Sequence, residues 1–131
     1  RLLLRLAIQA SARDDRPELH PIKYGAAVLF SDGSTASAHH KKALEYGCSL
    51  DAVGQLAQTV EDKCTPSSSA DSAISHLPTL IRPILLLQCD QYGVIHAPFA
   101  VGRAYLQEHG FGDCLVVVQD RHISEDRSLE C

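Results

Sequence analysis

Residues Asp90–Gln119 read D-Q-Y-G-V-I-H-A-P-F-A-V-G-R-A-Y-L-Q-E-H-G-F-G-D-C-L-V-V-V-Q, and three successive elements can be read from them. A strand ends near Asp90, and a loop runs through Gly93 to Ala97. Pro98 is expected to open a helix, because its missing N–H would have no intrahelical partner in the first turn. Phe99, Gly102, Tyr105 and Leu106 recur at spacings of three and four, which gives that helix an apolar face. His109 and Gly110 end it, a basic side chain at the negative helix terminus followed by the residue that most readily takes positive φ. Leu115–Val118 is a continuous apolar run of strand length, expected to be buried on both faces. The segment is a strand–helix–strand crossover, hence parallel and right-handed.

Bulk composition bounds what surrounds it. At 131 residues the chain suits one domain with a real core. Lys and Arg number 12 against 16 acids, a formal charge of −4 with no long basic run, which argues against a nucleic-acid track. Aromatic residues are 5 % of the chain, leaving no surplus for stacking bases. No apolar segment is long enough to span a bilayer. The five cysteines at 48, 64, 89, 114 and 131 have no C-x-x-C spacing. Their odd number points to a reducing compartment, and so to an intracellular, cytoplasmic protein. The acid-free, Arg-bearing segment Arg1–Arg13 leaves an organelle open through a transit-peptide remnant. Read as structure, it is a first helix with Leu3, Leu6, Ala7 and Ala10 on one side, widened by Leu2.

Working onward, Tyr24–Phe30 reads as a strand, Ser31-Asp32-Gly33-Ser34 as a hairpin turn, and Thr35–His39 as the returning strand. A helix follows from about Leu50 to Asp62, with Ser49 as its N-cap, Asp51 in its first turn, and Leu50, Val53, Leu56, Ala57 and Val60 as its apolar stripe. Residues 63–79 are Ser-, Ala- and Pro-rich and read as one long exposed loop, with Ser67-Ser68-Ser69 at its centre. Leu80–Gln88 is the third strand. The order is helix, hairpin, helix, loop, strand, helix, strand. It implies an α/β fold of one domain over residues 1–131, a mixed sheet with helices packed on it.

Three stretches resemble the zinc-dependent cytidine deaminases. Gly25-Ala26-Ala27-Val28-Leu29 with Asp32-Gly33 is similar to that family's first strand, V-G-A-A-V-L, and its D-G turn. Tyr46-Gly47 resembles its Y-G pair. Pro98-Phe99-Ala100-Val101-Gly102-Arg103, followed by Glu108 and Gly110, resembles its P-C-x-x-C-R helix start and E-x-G end, without the cysteines. The likeness runs from the first helix to about Gln119. It implies a three-layer α-β-α fold with helices on both sheet faces. Arg127-Ser128-Leu129-Glu130 resembles the start of the family's last helix, implying a trimmed C-terminus.

In that family one His or Cys at the start of one helix and two Cys at the start of another hold zinc, and a Glu two residues after the first ligand shuttles protons. The resemblance places Asp51 at the first ligand, Val53 at the Glu, and Phe99 and Gly102 at the two cysteines. The family's ribose-holding N-x-E pair falls on His40 and Lys42. Val, Phe and Gly can supply neither ligands nor proton transfer. The implied protein is a pseudoenzyme with no catalytic residue and no cofactor, zinc being expected only if the alignment is out of register. Phe99 is then expected to fill the former metal pocket, buried against the Leu50–Val60 helix. Two function classes remain. One is a non-catalytic structural or interaction subunit, pairing with itself or with a protein partner. The other is a hydrolase of the nucleoside deaminase type, or a small-ligand binder, with a site rebuilt from Asp51, Asp90, His96 or the His40–Lys42 pair. Cys48 and Cys89 could approach these carboxylates and His96, since strand ends and helix starts converge at one edge of such sheets.

Overall fold

Tyr24–Phe30 is Y-G-A-A-V-L-F, small residues followed by branched and aromatic ones, and such a strand can bury both faces if helices cover them. It does so here. The computed structural model describes residues 1–65 and 80–119. Its elements are α1 (Leu2–Ser11), β1 (Tyr24–Phe30), β2 (Thr35–His39), a short 3-10 turn (Tyr46–Cys48), α2 (Ala52–Cys64), β3 (Pro83–Asp90), β4 (Ile95–His96), α3 (Ala100–Glu108) and β5 (Leu115–Val116). The sheet order is β2-β1-β3-β4, with β5 also on β3. β1 pairs antiparallel with β2, Ala26 facing Ala38, and with β3, Tyr24 facing Asp90 and Ala26 facing Gln88. β5 runs parallel to β3, Leu86 facing Val116. The sheet is therefore mixed, and β3–α3–β5 is the parallel crossover expected from the sequence.

Alternation along β1 and β3 sends their side chains to two separate cores. On one face Ala27, Leu87 and Cys89 pack under Leu3 and Ala7 of α1. On the other, Ala26, Val28, Phe30 and Leu86 pack under Val53, Leu56 and Val60 of α2 and Leu106 of α3. The result is three layers, α-β-α. Gly25 lets α1 lie directly on β1: a Cβ there would come within 2.0 Å of the Ala7 carbonyl oxygen. Gly33 in the Asp-Gly turn has φ +84°, and Gly110 at the end of α3 has φ +79°, as the turn and helix-end readings require.

Several expected bounds are corrected. α2 starts at Ala52 and runs to Cys64, so the segment expected as a loop from residue 63 begins inside the helix. Pro98 stands one residue before the α3 N-cap, Phe99, rather than in its first turn. The third strand begins at Pro83, not Leu80. The expected loop Gly93–Ala97 contains a strand, β4, pairing Gln88 with His96 and Cys89 with Ile95. Leu115 and Val118 are not buried on both faces: they are 69 % and 61 % exposed. The strand β5 stops at Val116, short of Val118, and pairs only with β3 among the described residues. Leu2 is likewise exposed rather than part of the packed side of α1. Ser67–Ser69, His76, His122 and the Arg127–Glu130 stretch lie outside the described residues.

Candidate functional site

The starts of α2 and α3 meet over the face of the sheet that carries Ala26 and Leu86. Asp51 caps α2, its Oδ1 accepting the Gly54 N–H at 2.6 Å. Ser49, expected in that role, accepts the Ala43 N–H with its hydroxyl instead, at 2.9 Å. Either side chain can cap a helix; the competing donor at Ala43 decides between them. Across from Asp51, Gly102 of α3 presses on Val53, which is 1 % exposed. A Cβ at position 102 would stand 2.7 Å from Val53 Cβ and 3.3 Å from Asp51 Oδ1. Three of the four positions at issue, Asp51, Val53 and Gly102, are thus brought together.

Phe99 is not with them. Sitting at the N-cap, outside the regular turns of α3, it is 37 % exposed, so the expectation that it fills a buried pocket against α2 is wrong. Its ring meets Tyr24 edge-to-face at 5.1 Å and His40 at 6.3 Å. Val53 against Gly102 occupies the space between the helices instead.

His40 and Lys42 flank the same site with different electrostatics. Burial pushes the His40 imidazole below its ordinary value, and its Nδ1 is buried with no hydrogen-bond partner among the described residues. Lys42 is buried, its ammonium donating to the His20 carbonyl and pairing with Asp14 Oδ2 at 2.8 Å. Asp14 escaped the sequence reading: nothing local marks a loop aspartate as partner of a lysine 28 positions away.

At the carboxyl end of β3, His96 Nε2 lies 2.9 Å from Asp90 Oδ2. Asp90 Oδ1 accepts the N–H groups of Tyr92 and Val94 at 2.9 and 3.0 Å. Burial works to raise the Asp90 carboxyl, but the hydrogen bonds from His96, Val94 and Tyr92 outweigh it and hold it below the usual range. Cys89 faces the α1 layer, where burial first and Asp90 second push its thiol up to about 11. Cys48 is exposed. Of the groups expected from the sequence to gather, only Asp90 and His96 meet in a hydrogen bond.

Between these elements lies an open cleft of about 550 Å³, lined by Tyr24, His40, Lys42, Asp51, Phe99 and Val101 among others. No protein-family model matches the chain, and no curated protein matches it. Solved structures do. The cytidine deaminase from Mycobacterium tuberculosis superposes with a TM-score of 0.69 over 88 % of this chain and 81 % of its own, at 23 % identity. The cytidine deaminase from Mycobacterium leprae gives 0.69 over 89 % and 85 %, at 19 % identity. The chain has a cytidine deaminase-like fold.

The resemblance read from the sequence would put zinc donors at the facing starts of α2 and α3. Here Asp51 already caps α2, Val53 and Gly102 bring no donor atom, and the Phe99 ring has none. Among the described residues no three His, Cys, Asp or Glu side chains converge well enough to hold a metal ion. Asp51, Val53, Phe99 and Gly102 together do not make a zinc ligand set.

The closeness of α3 to α2 gives a direct test. Gly102→Ala should stabilise a helix by about 1 kcal/mol on propensity alone. Its Cβ would instead drive Val53 and α3 apart, and the net result expected is a loss of about 1–3 kcal/mol. Chemical denaturation checks the sign. A gain in stability would mean that the two helices are not in contact at this point.

Proposed function

We infer that this deaminase-like fold works without deaminase chemistry, as a structural or interaction subunit that pairs with copies of itself or with an active relative. One observation carries the reading: Val53 and Gly102 close the space between the α2 and α3 starts with an apolar contact. A buried valine packed on backbone favours the folded chain and can neither ligate a metal nor move a proton. The protein, purified after expression in zinc-supplemented medium, is expected to carry no stoichiometric metal by atomic absorption and to release no ammonia from cytidine above background. About one zinc per chain, or turnover lost on chelation, would sink the reading.

A second reading is favoured by the open cleft of about 550 Å³, a volume typical of small-molecule sites. It is a small-ligand binder, or a hydrolase of the nucleoside deaminase type, with a rebuilt site. The His96–Asp90 pair is suited to proton transfer, because the carboxylate fixes the orientation of the imidazole; it stands behind the cleft wall, the His96 ring 5.4 Å from that of the lining Tyr24. Turnover of cytidine by metal-free protein, abolished by His96→Ala, is the result that would favour it over the first.

A further inference from the structure

We propose that the cleft binds a small methylated ammonium compound of the choline type, held between an aromatic corner and the Asp51 carboxylate. This rests on the reading above only in taking Asp51 to be free of metal.

The corner is made by Tyr24, Phe99 and His40. Tyr24 and Phe99 stand 5.1 Å apart at 87°, and His40 and Phe99 6.3 Å apart at 83°. All three line the cleft, and aromatic faces carry the negative end of a quadrupole that attracts cations. The charges agree. Lys42 and Asp51 are the Lys, Arg, Asp or Glu side chains of the cleft wall, and Asp14 together with the His20 carbonyl neutralises the Lys42 ammonium. Asp51 spends Oδ1 on the helix cap, and among the described residues Oδ2 has no hydrogen-bond partner. His20, His40 and Tyr24 are the titratable rings in the wall; burial keeps His40 toward its neutral form and, with Asp90, pushes the Tyr24 phenol up, so that it too stays neutral. The cleft is left with the field of one carboxylate.

Leu19, Leu50 and Val101 complete much of the wall. A primary ammonium could pass only part of its water hydrogen bonds to Asp51 Oδ2 against this apolar wall, whereas a methylated one has few to lose. A cation bearing methyl groups matches the aromatic corner, the carboxylate and the apolar wall.

The test is calorimetric titration of the full chain with choline at low salt, alongside 3,3-dimethylbutan-1-ol, its neutral isostere. Choline is expected to bind with a Kd on the order of 1 mM or tighter, and the isostere roughly tenfold more weakly. Tetramethylammonium should compete with choline. Asp51→Asn removes the charge but keeps a good capping side chain, and is expected to weaken choline by about tenfold. Phe99→Leu keeps the apolar bulk, removes the ring, and should weaken it by about fivefold. Circular dichroism establishes that each variant is folded. Equal binding of the isostere, or no binding of choline to folded protein, overturns the proposal, and so does indifference of choline to both substitutions. Zinc is measured on the same preparation. Stoichiometric zinc would overturn the proposal together with the metal-free reading, while a zinc-free protein that ignores choline overturns this proposal alone.

Discussion

Replacing Lys42 by methionine is expected to destabilise the chain by about 3–5 kcal/mol, the usual loss when one partner of a buried ion pair is removed. The Lys42 and Asp14 side chains are only 6 % and 1 % exposed, and their charged atoms stand 2.8 Å apart. Methionine preserves the length and apolar stem of lysine, so packing is nearly maintained and the change is electrostatic. What remains is the Asp14 carboxylate, buried with no cation, and a His20 carbonyl without its donor. Removing the charge as well, in Asp14→Asn/Lys42→Met, should recover most of the loss, since a buried pair replaced as a unit is often neutral. Denaturant unfolding of the two single variants and the double variant gives the coupling directly. A loss below about 1 kcal/mol for Lys42→Met would place the pair in the class of solvated surface bridges.

Gly25→Ala is expected to act through backbone rather than charge. The new Cβ would fall 2.0 Å from the Ala7 carbonyl oxygen and 2.7 Å from the Ser11 nitrogen, both in the backbone of α1. No rotamer change can relieve contacts of that kind. α1 must lift off the sheet, uncovering Leu3 and Ala7 from Ala27, Leu87 and Cys89. The loss should reach about 3 kcal/mol, the upper end for overpacked sites, and amide protection over α1 should fall with it. Gly112→Ala is the control, because nothing lies within 4 Å of its added Cβ, and it should stay within about 0.5 kcal/mol of the parent. An α1 still protected in Gly25→Ala would mean that the helix does not rest on β1 at this residue.

Features governed by local chemistry were legible in the sequence. The Asp32-Gly33 turn, the apolar stripe Val53–Leu56–Val60 and the Gly110 helix end each follow from residues a few positions apart. The parallel pairing of β5 with β3 followed because a helix of nine residues separates them. What escaped depended on neighbours distant in sequence or on elements too short to show a period. β4 is two residues long and has no alternation to detect. Ser49 and Asp51 are both good caps, and the hydroxyl's commitment to Ala43 settles the choice. Phe99 looked like core because an apolar residue at a spacing of three fits a helix face, but an N-cap residue does not share the direction of the turns that follow. The fit of Val53 to Gly102 is a large residue meeting an absent one, visible only when both helices are in place.

The central position of β3 also governs the order in which the sheet can assemble. β1 and β2 are joined by a tight turn and can pair early, with α1 just before them in sequence. β3 must then be brought to β1 across everything from residue 31 to residue 82 before Tyr24 can face Asp90. Loop-closure entropy is lost before any of that pairing is gained, and non-local strand pairing of this kind is slow. β4 and β5 both dock on β3, so neither can join the sheet before it. Substitutions within the β1–β2 hairpin should therefore show mainly in the folding rate, and those in β5 mainly in the rate of unfolding.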